Sequence, residues 1–436
     1  MRRLLRGGLG ALVVRTGGVL ALQVGGAACA FGFSLVLTRT LGAREAGVYF
    51  LALTVASVAA VIGRLGLDQV IVRFAAAETG PRMGGLYRSA GGMVALGTVA
   101  VAGALMVAAP SLGRLFGDPE LVSPMRWMGA ALIATNAASV HGQFLKGIGR
   151  VRDGVFADAF LRPALLLVGF GGAGVAYGAE GATVAYVAAG AGAALVAGAL
   201  WQRHRPPGDA PFPARVLRRT ALPLYGVDLL LLATQWAPTL LLGIWSTSAD
   251  VALLSVAARL VMLAGFAQAA VNAVVAPQIA AAYGRGDGAG LRRTAGRGAL
   301  LFALTAAPLL AAYAVAPVWS MGWFGDEFVR GAPALVVLAV GQLCGALAGP
   351  TGPLLMMTGG EREAWRSAVF GAVGAVLVGA ATVAPYGVLG AALAGAAAAA
   401  LSNAYALVAV RRHLGFWAFN WSPPSEKPGR SFSGDA

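Results

Sequence analysis

The sequence predicts an all-α integral membrane protein with about twelve transmembrane helices in two six-helix bundles. Hydrophobic residues make up 58% of the chain and charged residues 12%, which is about half of the roughly 25% charged share of soluble domains. Mean hydropathy is +0.74, and several apolar runs exceed the roughly 18 residues that mark a spanning helix. Short sequence segments of the first half also recur in the second, which predicts the two bundles.

Twelve apolar segments are long enough to cross a bilayer. They are 17–38, 47–66, 89–109, 125–145, 155–177, 181–200, 220–243, 250–272, 297–317, 333–356, 366–385 and 388–410. The last two come from one uncharged run that Pro385-Tyr-Gly387 interrupts, so a helical hairpin is expected there. The first apolar run continues unbroken to Thr38, which favours a retained helix over a cleaved signal peptide.

Proline pairs inside two of these segments predict bends. Pro223 and Pro238 lie in the seventh segment, and Pro350 and Pro353 lie in the tenth. Bent helices at corresponding places of two repeats are typical of transporters.

The distribution of basic residues predicts the orientation in the membrane. With the N-terminus in the cytoplasm, 26 of the 33 lysines and arginines fall on the cytoplasmic side and 5 on the other. This bias is the positive-inside pattern, and an even number of spans places both termini in the cytoplasm. The net charge of +15 therefore reflects topology, and nucleic acid is excluded because no basic helix is interleaved with aromatic residues.

An internal repeat supports the division into two bundles. Three pairs of segments recur at offsets of 209, 209 and 208: 177–182 with 386–391, 202–204 with 411–413, and 115–118 with 323–326. Each pair occupies an equivalent place between spans. Because each copy holds an even number of spans, the sequence predicts a pseudo-two-fold axis along the membrane normal.

The repeat also predicts the domain boundaries. Residues 1–204 form the N-terminal bundle, residues 205–219 a cytoplasmic linker, residues 220–413 the C-terminal bundle and residues 414–436 a cytoplasmic tail. The linker is rich in proline and arginine, so we expect a semi-rigid tether.

One segment between the first two spans carries a family resemblance. Arg39-Thr-Leu-Gly-Ala-Arg-Glu-Ala-Gly-Val-Tyr49 resembles the R-x-L-G-x-x-x-x-G-x-Y turn of the polysaccharide and oligosaccharide flippase family. Gly66-Leu67 and Arg73-Phe74 follow at the spacing of that family. The equivalent segment of the second half, 243–251, lacks the aligned Gly and Tyr.

The resemblance implies a bacterial cytoplasmic-membrane flippase for an undecaprenyl-pyrophosphate-linked oligosaccharide used in surface polysaccharide biosynthesis. It implies two bundles around a polar, cationic cavity that opens alternately to each side. A polysaccharide polymerase and chain-length machinery are the partners that such flippases work with. The alternative is a cation-coupled multidrug exporter of the same fold.

Enzymatic activity is not expected, because the connecting loops are short and hold no plausible pair of catalytic carboxylates. The three histidines are isolated, so no metal-ligand spacing occurs, and no phosphate-loop motif is present. The sequence therefore indicates no cofactor, and it leaves coupling to protons or sodium open.

Charged residues inside spans are candidates for function, because burying charge in a membrane is costly. Asp228 and Arg259 lie near the middle of the seventh and eighth segments, where they form either an ion pair or a phosphate-binding and proton-coupling pair. Asp158 and Arg162 are four residues apart in the fifth segment and are expected on one helix face. They form either a structural pair or part of a cavity mouth.

Arg64 and Arg73 flank the cytoplasmic end of the second segment and are either topology charges or ligands for a diphosphate. The neutral polar residues Gln23, Gln235 and Asn272 are candidates for binding sugar hydroxyls. Hydrogen bonds between helices are the alternative for them and for four similar residues. These four are Asn136, Gln143, Gln268 and Gln342.

Overall fold

The structure, a computed structural model, describes residues 17–78, 80–171 and 175–419, together with the backbone of residues 2–16, 172 and 174. The described chain is helical, as predicted. Its α-helices are α1 (Arg2–Arg64), α2 (Leu67–Ala77), α3 (Met83–Leu115), α4 (Val122–Gly147), α5 (Val151–Val155), α6 (Arg162–Gly172), α7 (Gly178–His204), α8 (Ala214–Trp245), α9 (Ser248–Gly284), α10 (Gly288–Val315), α11 (Pro317–Gly322), α12 (Ala332–Ala348), α13 (Thr351–Met357) and α14 (Glu361–Leu414). A π-helical turn, Phe156–Leu161, joins α5 to α6.

Nine helical segments of the described residues are long and apolar enough to cross a membrane. Two of the nine are interrupted, α1 by the non-helical Gly42 and α14 by the non-helical Gly387, so each covers two of the predicted spans. α4 corresponds to the remaining predicted span. The hairpin expected at Gly387 is confirmed, and the tenth span is divided between α12 and α13 at Pro350. α8 runs through Pro223 and Pro238 without a break.

Residues of the family-like turn have clear local roles. Gly42 has φ 74 and ψ −177, a conformation that a side chain strongly disfavours, and it ends the first half of α1. Gly47 lies so close to the carbonyl of Ser248 that a Cβ would collide with it. Tyr49 is fully buried and packs edge-on against Phe33, with the ring centroids 5.4 Å apart. The motif therefore combines a chain reversal with a close helix contact.

The contacts divide the chain into two compact units. Unit 1 comprises Met1–Leu232 and Thr247–Ala252, and unit 2 comprises Ala233–Ser246 and Leu253–Ala436. The first part of α8 therefore packs with unit 1.

The segment that precedes α8, predicted as a tether, packs on unit 1. The Ala210 amide donates to the Pro81 carbonyl at 2.7 Å, and the Gly84 amide donates to the Gly208 carbonyl at 3.0 Å. The Phe212 ring lies in the hydrophobic core formed by α2, α3, α4 and α7. Backbone bonds and a buried ring thus hold this segment against the turn between α2 and α3.

The sequence repeat has backbone counterparts in the two units. Gly117 and Gly325 both have positive φ, and each precedes a short 3-10 turn that leads into a long helix, α4 or α12. Gly178 and Gly387 also match, with φ of 59 and 52 at equivalent breaks. The recurring residues are therefore those that set the same turns in both units.

Candidate functional site

A strained turn at the end of α1 positions the first charged pair. Leu65 has φ 55 and Gly66 has φ 70, so two successive left-handed residues reverse the chain. Leu65 tolerates this conformation only because the surrounding packing enforces it. A Cβ on Gly66 would lie 2.8 Å from the Tyr225 backbone nitrogen, so only glycine fits. After the reversal, Arg64 Nε donates to Asp68 Oδ2 at 2.7 Å.

Asn136 of α4 links this turn to two other helix segments. Its Oδ1 accepts from Arg64 Nη1 at 2.9 Å. Its Nδ2 donates to Thr98 Oγ1 at 2.9 Å and to the Ala60 carbonyl at 3.2 Å. The side chain is 1% exposed. Asn136 therefore uses both amide groups to fix the direction of the Arg64 guanidinium.

Lys146 near the end of α4 forms the second charged pair. Its Nζ lies 3.0 Å from Oδ2 of Asp158, which belongs to the π-helical turn. The sequence expects Asp158 and Arg162 to form a pair, but the carboxylate of Asp158 forms its ion pair with Lys146 of the neighbouring helix. Arg162 stays within electrostatic range of Asp158, so their placement on one helix face stays a prediction.

Arg162, at the start of α6, is the third cation of this region. Its guanidinium carbon lies 5.6 Å from the ring centroid of Tyr186 of α7, a cation–π contact. Asp158 and Tyr49 are within electrostatic range. Among the described residues, no carboxylate is close enough to Arg162 for an ion pair. Its N–H donors are thus available to an anionic ligand.

The two ion pairs lie close enough to influence each other. Asp68 experiences the charges of Lys146 and Asp158, and Asp228 of α8 experiences those of Arg64 and Asp68. Burial raises the pKa of Asp68 above its ordinary value, although the Arg64 guanidinium opposes this shift. We call the group Arg64, Asp68, Asn136, Lys146, Asp158 and Arg162 the polar cluster of unit 1.

The charged side chains of the polar cluster keep some accessible surface. Arg64 and Asp68 are 20% and 27% exposed, and Lys146 and Asp158 are 23% and 27% exposed. This partial exposure leaves the ion pairs sensitive to solvent and to any anion that approaches them.

A cavity of about 300 Å³ between α3 and α4 reaches two members of this network, Thr98 and Asn136. The Tyr87 hydroxyl and His141 Nε2, 2.9 Å apart, contribute to the same lining. Arg88 also contributes to the lining, which is otherwise mainly apolar.

The structure places the predicted site residues unevenly. Arg64, Asp158, Arg162 and Asp228 lie in unit 1 and come together around the polar cluster. Two other candidates of unit 1 are exposed and remain outside the cluster. These are Gln23 of α1 and Arg73 of α2.

Arg259, Gln235 and Asn272 belong to unit 2. Arg259 donates to the Ser255 carbonyl at 3.3 Å, and Gln235 is exposed. The Asn272 Oδ1 is buried without a hydrogen-bond donor. Their roles remain predictions.

Sequence reasoning missed Asp68 and Lys146 as members of the site. Asp68 stands four residues after Arg64, a spacing that pairs charges even across a turn. Lys146 is the single lysine within the apolar part of the chain, which was the available signal. No group of three or more His, Cys, Asp or Glu side chains able to hold a metal occurs in the described part of the chain.

Comparisons with known proteins agree with this architecture. The family model described as "Polysaccharide biosynthesis protein" matches residues 14–282. A search of curated protein sequences found no match.

Solved structures of similar fold include "Lipid II flippase MurJ, inward closed conformation", at 12% identity and TM-score 0.76 over 90% of this chain and 87% of that one. An inward-facing multidrug resistance MATE family transporter of the MOP superfamily matches at 15% identity and TM-score 0.68, over 91% and 94% of the two chains. A MOP superfamily transporter from Pyrococcus furiosus matches at 16% identity and TM-score 0.59, over 92% and 95%. The chain thus has the fold of multi-pass membrane transporters.

Proposed function

We propose that this chain, which belongs to the polysaccharide biosynthesis protein family, moves an undecaprenyl-pyrophosphate-linked oligosaccharide across the cytoplasmic membrane by alternating access. The observation that carries the proposal is Arg162, a cation of the polar cluster that contacts the Tyr186 ring and forms no ion pair with a carboxylate of the described residues. A diphosphate headgroup supplies the missing anion. The translocated lipid-linked oligosaccharide would then be used for surface polysaccharide assembly.

Arginine suits this task because its planar guanidinium binds phosphate oxygens in a bidentate way and stays charged. The polar cluster holds two further cations, Arg64 and Lys146, each in an ion pair. A diphosphate carries more charge than one arginine can neutralise, so exchange of carboxylate for phosphate at these pairs would complete its binding. The released carboxylates then compensate the site after the substrate leaves.

Asp228 and Asp158 are the acids that we assign to coupling. Asp228 accepts no hydrogen bond among the described residues and lies in the field of Asp68 and Arg64. Uptake of a proton or a sodium ion there would offset the negative charge left when Arg64 turns to the substrate. Energy coupling and substrate binding would thus compete for the same few charges.

We place both termini in the bacterial cytoplasm, because the basic residues concentrate on that side of the predicted spans. A polysaccharide polymerase and chain-length machinery are the expected partners on the opposite side. No cofactor is assigned.

Multidrug export is the second candidate, favoured by the fold similarity to multidrug resistance MATE transporters. A cationic drug needs an acid without a counter-ion. In the polar cluster both acids are paired with cations, and the additional charge is that of Arg162. The polar cluster, with three cations against two acids, therefore favours an anionic ligand, and Asp228 beside it is the acid that a cationic drug would use.

Proteoliposomes test the proposal directly. The purified chain should move a fluorescent undecaprenyl-diphosphate oligosaccharide between leaflets, measured by quenching from outside. Arg162→Gln should lower the rate about tenfold or more, which is the effect of removing hydrogen bonds between an arginine and a charged ligand.

The matched control is Arg126→Gln, which removes an exposed arginine of α4 and should leave the rate unchanged. Wild-type rates in Arg162→Gln would contradict the assignment of the site. Transport of lipophilic cations together with no movement of the lipid would favour the multidrug exporter.

A further inference from the structure

The segment that follows α14 folds over unit 2 with alternating side chains. α14 ends at Leu414, and Gly415 caps it in a left-handed conformation. Phe416 and Ala418 are 6% and 0% exposed and belong to the core of unit 2. Trp417 and Phe419 point away from that core and stack on each other, with ring centroids 5.5 Å apart. We call residues 415–419 the aromatic strap.

The aromatic strap lies beside the break between α12 and α13. A Cβ on Gly349 would lie 3.6 Å from the Ala418 carbonyl oxygen. The strap is thus anchored on both sides, by Phe416 in the core and by Ala418 against this break. Because the backbone of the strap is anchored, the rings of Trp417 and Phe419 hold a fixed position.

Two arginines contact the strap through its aromatic rings and not through carboxylates. The guanidinium carbon of Arg411 lies 4.5 Å from the Trp417 ring centroid, and that of Arg292 lies 5.5 Å from the Phe416 ring centroid. Neither forms an ion pair with any carboxylate of the described residues. A cation–π contact orients the guanidinium plane and leaves its N–H groups to bind phosphate oxygens.

The surrounding charge is also strongly positive. The same end of unit 2 carries arginines 285, 293, 297, 362, 366 and 412 against the acids Asp287, Glu361 and Glu363. Asp287 is occupied as the cap of α10, where it accepts from the Gly290 amide. Glu363 is occupied by Arg366 and Tyr405. The positive field at Arg292 and Arg411 is therefore largely uncompensated.

We propose that Arg292, Arg411 and the aromatic strap form a binding site for the phosphate of an anionic phospholipid headgroup. Trp417 and Phe419 would lie at the interface of the same leaflet, where aromatic rings are enriched. A lipid is favoured over a soluble anion because the partly exposed Trp417 ring lies beside the Arg411 guanidinium and stacks on the exposed Phe419 ring, at the end of a membrane-spanning helix. The site concerns the lipid environment of unit 2 and holds for any transported substrate.

Lipid binding to the purified full-length chain tests this site. The protein is titrated with phosphatidylglycerol or phosphatidylcholine in detergent, and bound lipid is counted by native mass spectrometry. Wild-type protein should retain phosphatidylglycerol in preference to phosphatidylcholine. Arg411→Gln should weaken that retention about fivefold, since one surface arginine contributes about 1 kcal/mol toward an anionic membrane.

Arg330→Gln is the charge-matched control, because Arg330 is exposed and lies before α12, remote from the strap. If Arg330→Gln weakens phosphatidylglycerol retention as much as Arg411→Gln does, the effect is one of general charge and the proposed site is overturned. The absence of a phosphatidylglycerol preference in the wild type would overturn it as well. Full displacement of the lipid by millimolar inorganic phosphate would indicate a small-anion site and contradict the lipid assignment.

If Arg411→Gln does not fold, two other variants test the site, Arg411→Lys and Trp417→Leu. Arg411→Lys preserves the charge and should retain most of the lipid binding, whereas Trp417→Leu removes the ring that orients Arg411 and should lose part of it. Unchanged binding in Trp417→Leu would contradict the role of the strap. Thermal unfolding of each variant monitors the fold.

Discussion

Unit 1 and unit 2 share turns but differ in how they handle charge. Inside unit 1, helices bring two ion pairs, Arg162 and the hydrogen-bonded Asn136 into one polar cluster. In unit 2 a contact between two spans is neutral, with Gln342 Nε2 donating to Gln268 Oε1 at 3.0 Å. The arginines of unit 2 collect at one end instead, around the aromatic strap.

A repeated backbone therefore does not require a repeated site. The recurring glycines set the same turns in both units, whereas the residues of the polar cluster lie outside the three recurring segments. The clustered charges of unit 1 therefore have no equivalent in the neutral contact between Gln342 and Gln268 of unit 2. Four experiments test this contrast.

The largest effect is expected where α1 supports the polar cluster. A Cβ on Gly26 would collide with the Ala159 carbonyl in the π-helical turn that carries Asp158. Gly26→Val should lower the free energy of unfolding by about 3 kcal/mol or more and abolish transport. Thermal or denaturant unfolding in detergent measures this loss.

Gly265→Val is the matched control in unit 2, because no atom lies within 4 Å of a Cβ built at Gly265. It should change stability little. Equal losses in the two variants would show that close packing at α1 has no special importance for unit 1.

The second effect compares hydrogen bonds inside the two units. Asn136→Leu removes three hydrogen bonds, one of them to a charged guanidinium, and should cost about 2 kcal/mol. Gln342→Leu removes one bond between neutral side chains and should cost about 0.6 kcal/mol, the average for membrane helices. Unfolding of both variants in the same detergent gives the difference, and a larger loss for Gln342→Leu would reverse the proposed contrast.

Much of the fold could be predicted because its signals are local. Apolar length defines the spans, and glycine or proline marks the breaks at Gly42, Gly387 and Pro350. The repeat was detectable for the same reason, since its matching residues are those of tight turns. α8 departs from this rule, because it accommodates Pro223 and Pro238 without interruption.

The polar cluster could be predicted only in part. Arg64, Asp158 and Arg162 stand out as charges at or within spans, but their partners depend on which helices pack together. The spacing of four residues predicts a pair of Asp158 with Arg162, whereas the carboxylate bonds to Lys146 of the neighbouring helix α4. Helix packing decides this contact, and no sequence period encodes it.

A third prediction concerns the strength of the ion pairs. A double-mutant cycle with Asp158→Asn and Lys146→Met should give a coupling energy of about 1 kcal/mol, near the upper end for partly exposed pairs. The same cycle on the exposed pair of Glu363 and Arg366 in unit 2 should give no measurable coupling, because solvent screens it. Stability in detergent at several salt concentrations measures both, and equal coupling in the two cycles would contradict a special electrostatic environment in unit 1.

The smallest effect is the pH dependence caused by Asp68. Burial raises the pKa of this carboxyl above its ordinary value, so the folded chain holds the proton more tightly than the unfolded chain. Stability is then lost as pH rises from about 4 toward the folded-state pKa, and Asp68→Asn should remove this loss. Gln342→Leu, which changes no titratable group, should keep the wild-type profile. Melting temperatures between about pH 4 and pH 7 provide the measurement, and a wild-type chain that gains stability relative to Asp68→Asn as pH rises would show that the Arg64 pair outweighs the burial of the carboxylate.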